Sequence, residues 1–427
     1  MAKCVVIGGG LAGISTAVFL SKNNHDVQLI EASPKLGGRA YSFKDKLTDD
    51  FIDNGQHILV GAYKTTFEFL RIIGTENLPY YQKKLQVTYV TKDGSRFSLK
   101  TPHTFYPLNL LQAILGFKLL RFNERIRIVK FISKLFFIGD KNLASKTVFE
   151  WLKENNQSED SMKSFWDLLT VSTLNTPIDE ASSLMFAKVL KEIFLNGNKA
   201  STIVLPKYGL SKLFCDPAEK YLKTNGANVS LSENIIKIET NGEKVLKVIT
   251  NKREITDFDF VISAVPFYSL QKLFPELPFI KSVNKNLETS PIITIHLWLS
   301  ENIFEEKFYG LINSRIHWIY KNKNHISAVI SSADEMVELD SKEIYQICIE
   351  ELRSYFPKFN NVVVKNYKVL KEKRATFEST PKSDEVRSKI KSPYNNFHLA
   401  GDWTNTKLPG TIEGAILSGK EAARKID

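Results

Sequence analysis

The stretch VVIGGGLAGISTAVFL, residues 5–20, decides the class of the fold. It is apolar enough to be weighed as the core of a secretion signal, which would stand behind a basic segment and ahead of a small-residue cleavage site. Four glycines interrupt it and an acidic residue, Glu31, ends the next strand, so the signal reading is the weaker one. Residues 4–7 instead suit a short buried parallel strand, Gly8, Gly10 and Gly13 form G-x-G-x-x-G, and ISTAVFLSKN continues as an apolar-rich helix. The first glycine permits a tight turn, the second lets backbone approach a pyrophosphate, and the third lets helix and strand pack closely. The helix start, at Leu11 and Ala12, then faces the phosphates with its N–H groups. A second strand, DVQLIEA, places Glu31 eighteen residues beyond Gly13, with Ala32 after it, where a carboxylate accepts from ribose hydroxyls. Motif, spacing and terminal acid together predict an α/β, Rossmann-type dinucleotide unit.

Composition sets the outer limits. With 427 residues, 43% hydrophobic and 25% charged, the chain is globular in class and long enough for two or three domains. No uninterrupted apolar stretch reaches the length that spans a bilayer, so the expectation is a cytoplasmic protein without a transmembrane helix. Cys4, Cys215 and Cys348 are far apart and odd in number, which fits neither a disulfide framework nor a zinc knuckle. A net charge of +11 favours an acidic partner, and phospholipid and nucleic acid both qualify on charge alone.

Two further stretches bear on the cofactor. SPKLGGRAYSF follows Glu31 and offers a second flexible, cationic turn at Gly37, Gly38 and Arg39. Near the other end stands LAGDWTNTKLPGTIEGAILSGKEAARKI, with Gly401 and Asp402 at a strand end and a small-residue helix after a glycine-containing turn. GGGLAG, EASPKLGGRA and this C-terminal stretch together resemble the FAD-dependent amine oxidase and phytoene desaturase superfamily, from the first residues to the last. The resemblance implies noncovalent FAD and an amine oxidase-like fold, in which Glu31 holds the adenosine ribose and Arg39 lies by the flavin. It also implies that Asp402 meets the ribityl-pyrophosphate region and that backbone from Thr411 through Ile412 to Glu413 contacts the isoalloxazine. Backbone near Val229 and Ile235 would lie by the cofactor. No second nucleotide fingerprint is visible, and no cysteine lies near Asp402 for a thiol link to the flavin.

The segment DNGQHILVGAY, residues 53–63, narrows the resemblance, because Asn54, Gly55, Gln56 and His57 are similar to the squalene-associated branch, the hydroxysqualene dehydroxylases. KRATFESTP, GDWT and LPGTIEGA look like the same branch, with Gly410 where alanine would be expected. The branch implies that reduced flavin replaces an allylic hydroxyl by hydrogen, giving squalene on the hopanoid route from a hydrophobic isoprenoid substrate. Two other classes remain open: an oxidative desaturase or amine oxidase, and a noncatalytic lipid carrier on the same fold. An amine oxidase would want an aromatic cage, for which Trp403 alone is a candidate. The electron donor is not identified by the sequence. For His57 two roles stand side by side, a general acid for the departing hydroxyl and a hydrogen-bonding residue of the flavin or a loop carbonyl.

These anchors imply a discontinuous FAD domain, residues 1–75, 200–265 and 390–427, with an α+β substrate domain of residues 76–199 and 266–389. In the latter, SPIITIHLWLS reads as a strand, HWIYKNKNHISAVISS as two strands, and SKEIYQICIEELRSYF as a helix with an apolar face. His296 and Trp298 share a strand face, suited to a substrate tunnel or to core packing. Residues 102–139 interleave apolar and cationic residues at helical spacing and are expected to form a basic amphipathic surface facing anionic lipid, the alternative being a core helix whose polar face is solvated. Leu110, Leu111, Ile114, Leu115, Phe117, Leu119 and Leu120 would enter the acyl region, with Lys118, Arg121, Arg125 and Arg127 at the headgroups. The expected location is therefore peripheral, on the inner face of the cytoplasmic membrane. Nucleic acid is not expected, since the basic cluster is aliphatic rather than interleaved with stacking aromatics. The seven histidines are scattered, without H-E-x-x-H or paired cysteine ligands, and no metal is expected.

Overall fold

Short β-branched runs assemble into one parallel sheet in the computed structural model, which describes all residues except 136, 276, 393 and 427. Lys3–Ile7 is central, with four of its five residues buried. Across the sheet the order is Asn228–Ser230, Asp26–Ile30, Lys3–Ile7, Phe260–Ser263, Phe397–Leu399. Every pair is parallel, with Val6 opposite Leu29 on one side and Ile262 on the other. The order reverses at Lys3–Ile7, which opens a crevice beyond the C-terminal ends of that strand and of Phe260–Ser263.

The first helix, Leu11–Lys22, is buried on every side except at Lys22. It lies between the sheet and helix Ile412–Ala423, which is why it lacks a polar stripe. Gly419 allows the crossing: a β-carbon there would stand 2.1 Å from Ser15 Oγ and 2.4 Å from the Ala12 carbonyl.

A second sheet of seven strands runs Val364–Phe377, Thr289–Leu299, Ile326–Ser331, Trp318–Lys321, Phe308–Leu311, Gln86–Val90, Arg96–Lys100. All its pairs are antiparallel except Phe308–Leu311 with Gln86–Val90. Along Thr289–Leu299 the two-residue period sorts the faces. Ile293, Ile295 and Leu297 pack with Ile344 and Cys348 of helix Ser341–Tyr355. Ile292 and Thr294 turn to the interior cavity. The alternating strands and the apolar-faced helix of the sequence are these elements. Val364–Phe377 carries no comparable signal, because it is an edge strand whose lysines reach solvent and neighbouring carboxylates, as Lys373 does at Glu338 (2.7 Å).

Residues 102–139 differ from their expected role. They form helices Leu108–Leu115 and Phe122–Lys134; Phe136 lies outside the described residues. Leu110, Ile114, Phe117 and Leu120 do not await acyl chains: they are buried in a core built around Trp151 and Trp166. Arg125 is not offered to headgroups either, since its guanidinium donates to the carbonyls of Leu115 (2.8 Å) and Leu120 (2.7 Å), closing the preceding helix. Helical spacing alone does not say which apolar face meets protein, and these tryptophans arrive from later segments. Among the described residues of this segment the large apolar side chains left exposed are Phe105, Leu108, Phe122 and Phe137, and Arg127, Lys130 and Lys134 are exposed on the second helix.

Candidate active site

The crevice of the parallel sheet opens into a cavity of about 1180 Å³ that continues under the seven-stranded sheet. Its polar half begins at the glycine turn. Gly8 holds φ +102°, and Gly13 must lack a side chain because a β-carbon would fall 1.8 Å from the Gly8 carbonyl. Gly13 thus serves packing and does not itself line the cavity. Gly10 is different: it is extended, at φ −73°, and a β-carbon there would meet nothing nearer than Gly38 Cα at 3.9 Å. The space beside it belongs to the cavity, as do Gly8, Leu11 and Ala12. Helix Leu11–Lys22 has neither a side-chain cap nor an acid in its first turn. Its N-terminal partial positive charge therefore faces an open space shaped for an anion.

Glu31 reaches back to this turn, accepting from the backbone N–H of Gly9 (2.5 Å) and Ser33 (2.7 Å), and with Ala32 it lines the cavity. The second glycine turn closes over the first, through the Gly37 N–H on the Gly9 carbonyl (2.8 Å) and through Gly38 at φ +57°. Arg39 then extends to Asp402, 363 residues away, at 2.7 Å, and donates to the Ala375 carbonyl at 2.8 Å. Desolvation opposes its charge, but Asp402 outweighs that and holds the guanidinium above its usual pKa. Gly401, Asp402, Thr411, Ile412 and Glu413 line the same half, and Ile235 joins from the far side. Val229 instead pairs with Leu29 inside the sheet, away from the cavity wall.

The Glu413 side chain has structural work. Its carboxylate accepts from the backbone N–H of Thr65 (2.9 Å) and Thr66 (2.8 Å) and from the Thr66 hydroxyl (2.7 Å), capping helix Lys64–Ile72. Thr411 caps its own helix by accepting from Gly414 N–H at 3.1 Å. Gly410, the departure from the expected alanine, has a reason here: a β-carbon would come within 2.9 Å of Thr376 Cβ.

Between the two halves stand Asn54, Gly55, Gln56 and His57. Asn54 clips the segment in place, donating to the Arg39 carbonyl (3.0 Å) and accepting from Tyr41 N–H (3.0 Å). Enclosure in the cavity wall lowers the His57 pKa to about 4; the Arg39 guanidinium adds to the fall, and a hydrogen bond to the Arg39 carbonyl opposes it. The ring is therefore held in its neutral form at pH 7.

His296 and Trp298 do not reach the cavity. His296 donates from Nε2 to the Asp53 carbonyl (3.1 Å), pairs through Nδ1 with the Ser327 hydroxyl (3.0 Å), and packs on His325. Trp403 lines the cavity, with its indole N–H bonded to the Val265 carbonyl at 3.1 Å.

The second half of the cavity is walled by apolar side chains, among them Val87, Tyr89, Leu168, Val171, Phe308 and Trp318. Together with Tyr63, none of these was singled out from sequence, for they come from four elements far apart along the chain, strands Gln86–Val90, Phe308–Leu311 and Trp318–Lys321 and helix Asp167–Leu174. The two halves make one space, polar and anion-seeking at one end and apolar at the other.

The family model described as flavin containing amine oxidoreductase matches residues 11–427. The chain belongs to this family. It is a flavin-dependent oxidoreductase with the family's amine oxidase-like α/β fold. A hydroxysqualene dehydroxylase of Zymomonas mobilis is 29% identical over 421 residues, covering 98% of this chain and 97% of that protein. A chloroplastic/chromoplastic 15-cis-phytoene desaturase of an Oncidium hybrid cultivar is 26% identical, covering 99% and 77%. The structure of putrescine oxidase bound to putrescine superposes with a TM-score of 0.76 at 16% identity, covering 100% of this chain and 98% of that one, which shows the fold. The cavity fits the family's cofactor: the open space at Gly10, the uncapped helix start and the Glu31 carboxylate are what the phosphates and a ribose require.

Proposed function

We propose that this oxidoreductase carries noncovalent FAD and converts hydroxysqualene to squalene by reductive dehydroxylation. The observation that carries the reading is the continuity of the apolar chamber with the polar half at His57 and Thr294, which suits a long hydrocarbon bearing one reacting polar group. The full-length likeness to a hydroxysqualene dehydroxylase supports it. When bound, fully reduced FADH2 would supply both the hydride that replaces the C–O bond at the allylic carbon and the proton with which the hydroxyl leaves as water, returning to FAD. The chain's own part is placement. Gly10 and the helix start seat the pyrophosphate, Glu31 the adenosine ribose, Asp402 and Arg39 the ribityl region, and the backbone at Thr411–Glu413 the ring. None of Cys4, Cys215 and Cys348 lines the cavity, in keeping with a flavin free of a thiol link. His57 stands where the two halves meet and, held neutral by burial, is assigned to orienting the reacting group by a hydrogen bond. The apolar wall excludes water from the allylic centre.

We extend the reading to a peripheral position on the inner face of the cytoplasmic membrane. Among the described residues no helix is long and apolar enough to cross a bilayer. Helix Ser183–Leu195 contributes Lys188, Val189, Glu192 and Ile193 to the cavity wall, and these are also partly exposed. Its flanks are tied to the exposed apolar side chains: Tyr106 donates to the Phe194 carbonyl (2.8 Å) beside Phe105, and Lys191 to the Ile138 carbonyl (3.0 Å) beside Phe137. An entry pressed against lipid spares the substrate a transfer through water, at about 0.8 kcal/mol per methylene.

A phytoene-type desaturase is the second reading, favoured by the desaturase likeness and served by the same apolar chamber. Offering the reduced protein hydroxysqualene and the oxidised protein 15-cis-phytoene separates them. Squalene from the first alone is expected, and a desaturated carotene from the second would replace the proposal.

A further inference from the structure

Arg387 is the one lysine or arginine among the described residues that is fully buried, and its contacts converge on one loop. The two N–H of its Nη2 donate to the carbonyls of Thr404 and Leu408 (2.8 Å each), with the Asp402 carbonyl (3.2 Å) and the Thr406 hydroxyl (3.3 Å) sharing them at longer range. Its Nε reaches the carbonyls of Thr404 (3.2 Å) and Trp403 (3.3 Å). The planar group lies over the Phe377 ring, 4.3 Å from its centre. Five donors in a rigid fork suit such a task, and a lysine offers only three from a point.

The loop needs holding. Within it the backbone supplies few bonds of its own, Thr404 N–H to Gly401 and Thr406 N–H to Thr404. Lys407 sits at φ +59°, a conformation a side chain disfavours, between two residues that Arg387 grips. Asp402, Trp403, Thr406, Lys407 and Leu408 all line the cavity, and Asp402 is the partner of Arg39.

The same guanidinium leads to the apolar chamber. Its Nη1 stands 3.8 Å from Asp384 Oδ1, and the other oxygen of Asp384 accepts from the Ser182 hydroxyl. Ser182 caps helix Ser183–Leu195 by accepting from Met185 N–H at 3.1 Å.

We propose that Arg387 is a positioning residue for the cofactor pocket, holding loop 402–408 in the one conformation that places Asp402 against Arg39 and tying that loop to the start of the helix walling the chamber. The proposal rests on the reading of the polar half as a flavin site. Desolvation pulls the guanidinium down to about 10, with Asp384 and Asp402 opposing, so the group stays charged at neutral pH.

The test uses Arg387→Met and Arg387→Lys, with two readouts that need no turnover. Lys407 is exposed, so trypsin cleavage after it reports release of the loop, while titration of apoprotein with FAD reports the pocket. Arg387→Met is expected to be cut after Lys407 at least about tenfold faster than wild type and to bind FAD about tenfold more weakly, the scale of one or two lost hydrogen bonds. Arg387→Lys should recover part of both. If Arg387→Met does not fold, Arg387→Lys carries the test, and it must still lie measurably away from wild type in both readouts. Wild-type cleavage and wild-type FAD affinity in either variant would overturn the proposal. A wild-type protein that bound no FAD would overturn the flavin reading instead, with cleavage at Lys407 still reporting on the loop.

Discussion

Two glycines three residues apart, Gly10 and Gly13, offer the sharpest separation of binding from folding. At Gly10 the backbone is extended at φ −73° and a β-carbon touches only Gly38 Cα at 3.9 Å, an ordinary van der Waals distance. Gly10→Val should therefore fold, with its stability in the absence of cofactor changed by no more than about 1 kcal/mol. The isopropyl group then projects where the pyrophosphate belongs. An overpacked contact costs about 1–3 kcal/mol, which weakens FAD by about 5- to 150-fold. At Gly13 the β-carbon would stand 1.8 Å from the Gly8 carbonyl oxygen, a collision with backbone that no rotamer relieves. Gly13→Ala should lose about 3 kcal/mol or more of stability before any cofactor is added. Urea unfolding of both apoproteins, followed by FAD titration monitored through flavin fluorescence, reads the two effects apart. Full-affinity FAD binding by Gly10→Val would refute the assignment of this turn to the phosphates. A Gly13→Ala protein as stable as wild type would refute the packing argument.

Three further outcomes follow from the same geometry. His57→Gln, which keeps an acceptor, should retain FAD and lose less than the roughly hundredfold expected of a lost acid–base group; a loss beyond that, with a pH break near 6.5 abolished, would return His57 to the role of acid. Desolvation holds His57, His317 and His325 at about 4 and His296 at about 3, below the ordinary value of 6.5. The folded chain thus binds fewer protons than the unfolded one below pH 6.5, so stability present above that pH is lost as pH falls toward 4, and urea midpoints that stay level from pH 7 to 5 would contradict it. Reversing Lys118, Arg121, Arg127 and Lys130 to Glu should release the protein from anionic vesicles in flotation while leaving FAD content unchanged; flotation indifferent to those charges and to salt would remove the membrane surface from the account.

The nucleotide half of the site was legible because its information is local. Strand, glycine turn, helix and acid lie within residues 4–31, where each residue type has one physical task, and the C-terminal partners announce themselves by a second glycine-bearing turn. What joins them was not legible. The Arg39–Asp402 pair spans 363 residues, and the Glu413 carboxylate caps a helix that begins at Lys64 and has no acid in its own first turn. Arg387 gave no sign, since its partners are mostly carbonyls, which every residue possesses. The helical segment 102–139 misled for a related reason: apolar spacing marks faces to be buried, but Trp151 and Trp166, from outside it, decide that protein covers them. His57 lines the cavity, and its charge depends on desolvation by side chains from several segments, which its own neighbours in sequence do not disclose.

Reduction of an allylic alcohol and desaturation of a hydrocarbon run hydride in opposite directions, and one anaerobic single turnover tells them apart. Protein reduced with a single equivalent of dithionite per flavin is mixed with hydroxysqualene in anionic vesicles, the flavin spectrum is followed, and the lipid is extracted. One squalene per flavin is expected, formed as the oxidised flavin spectrum returns. Hydroxysqualene recovered unchanged, with the flavin still reduced, would contradict it.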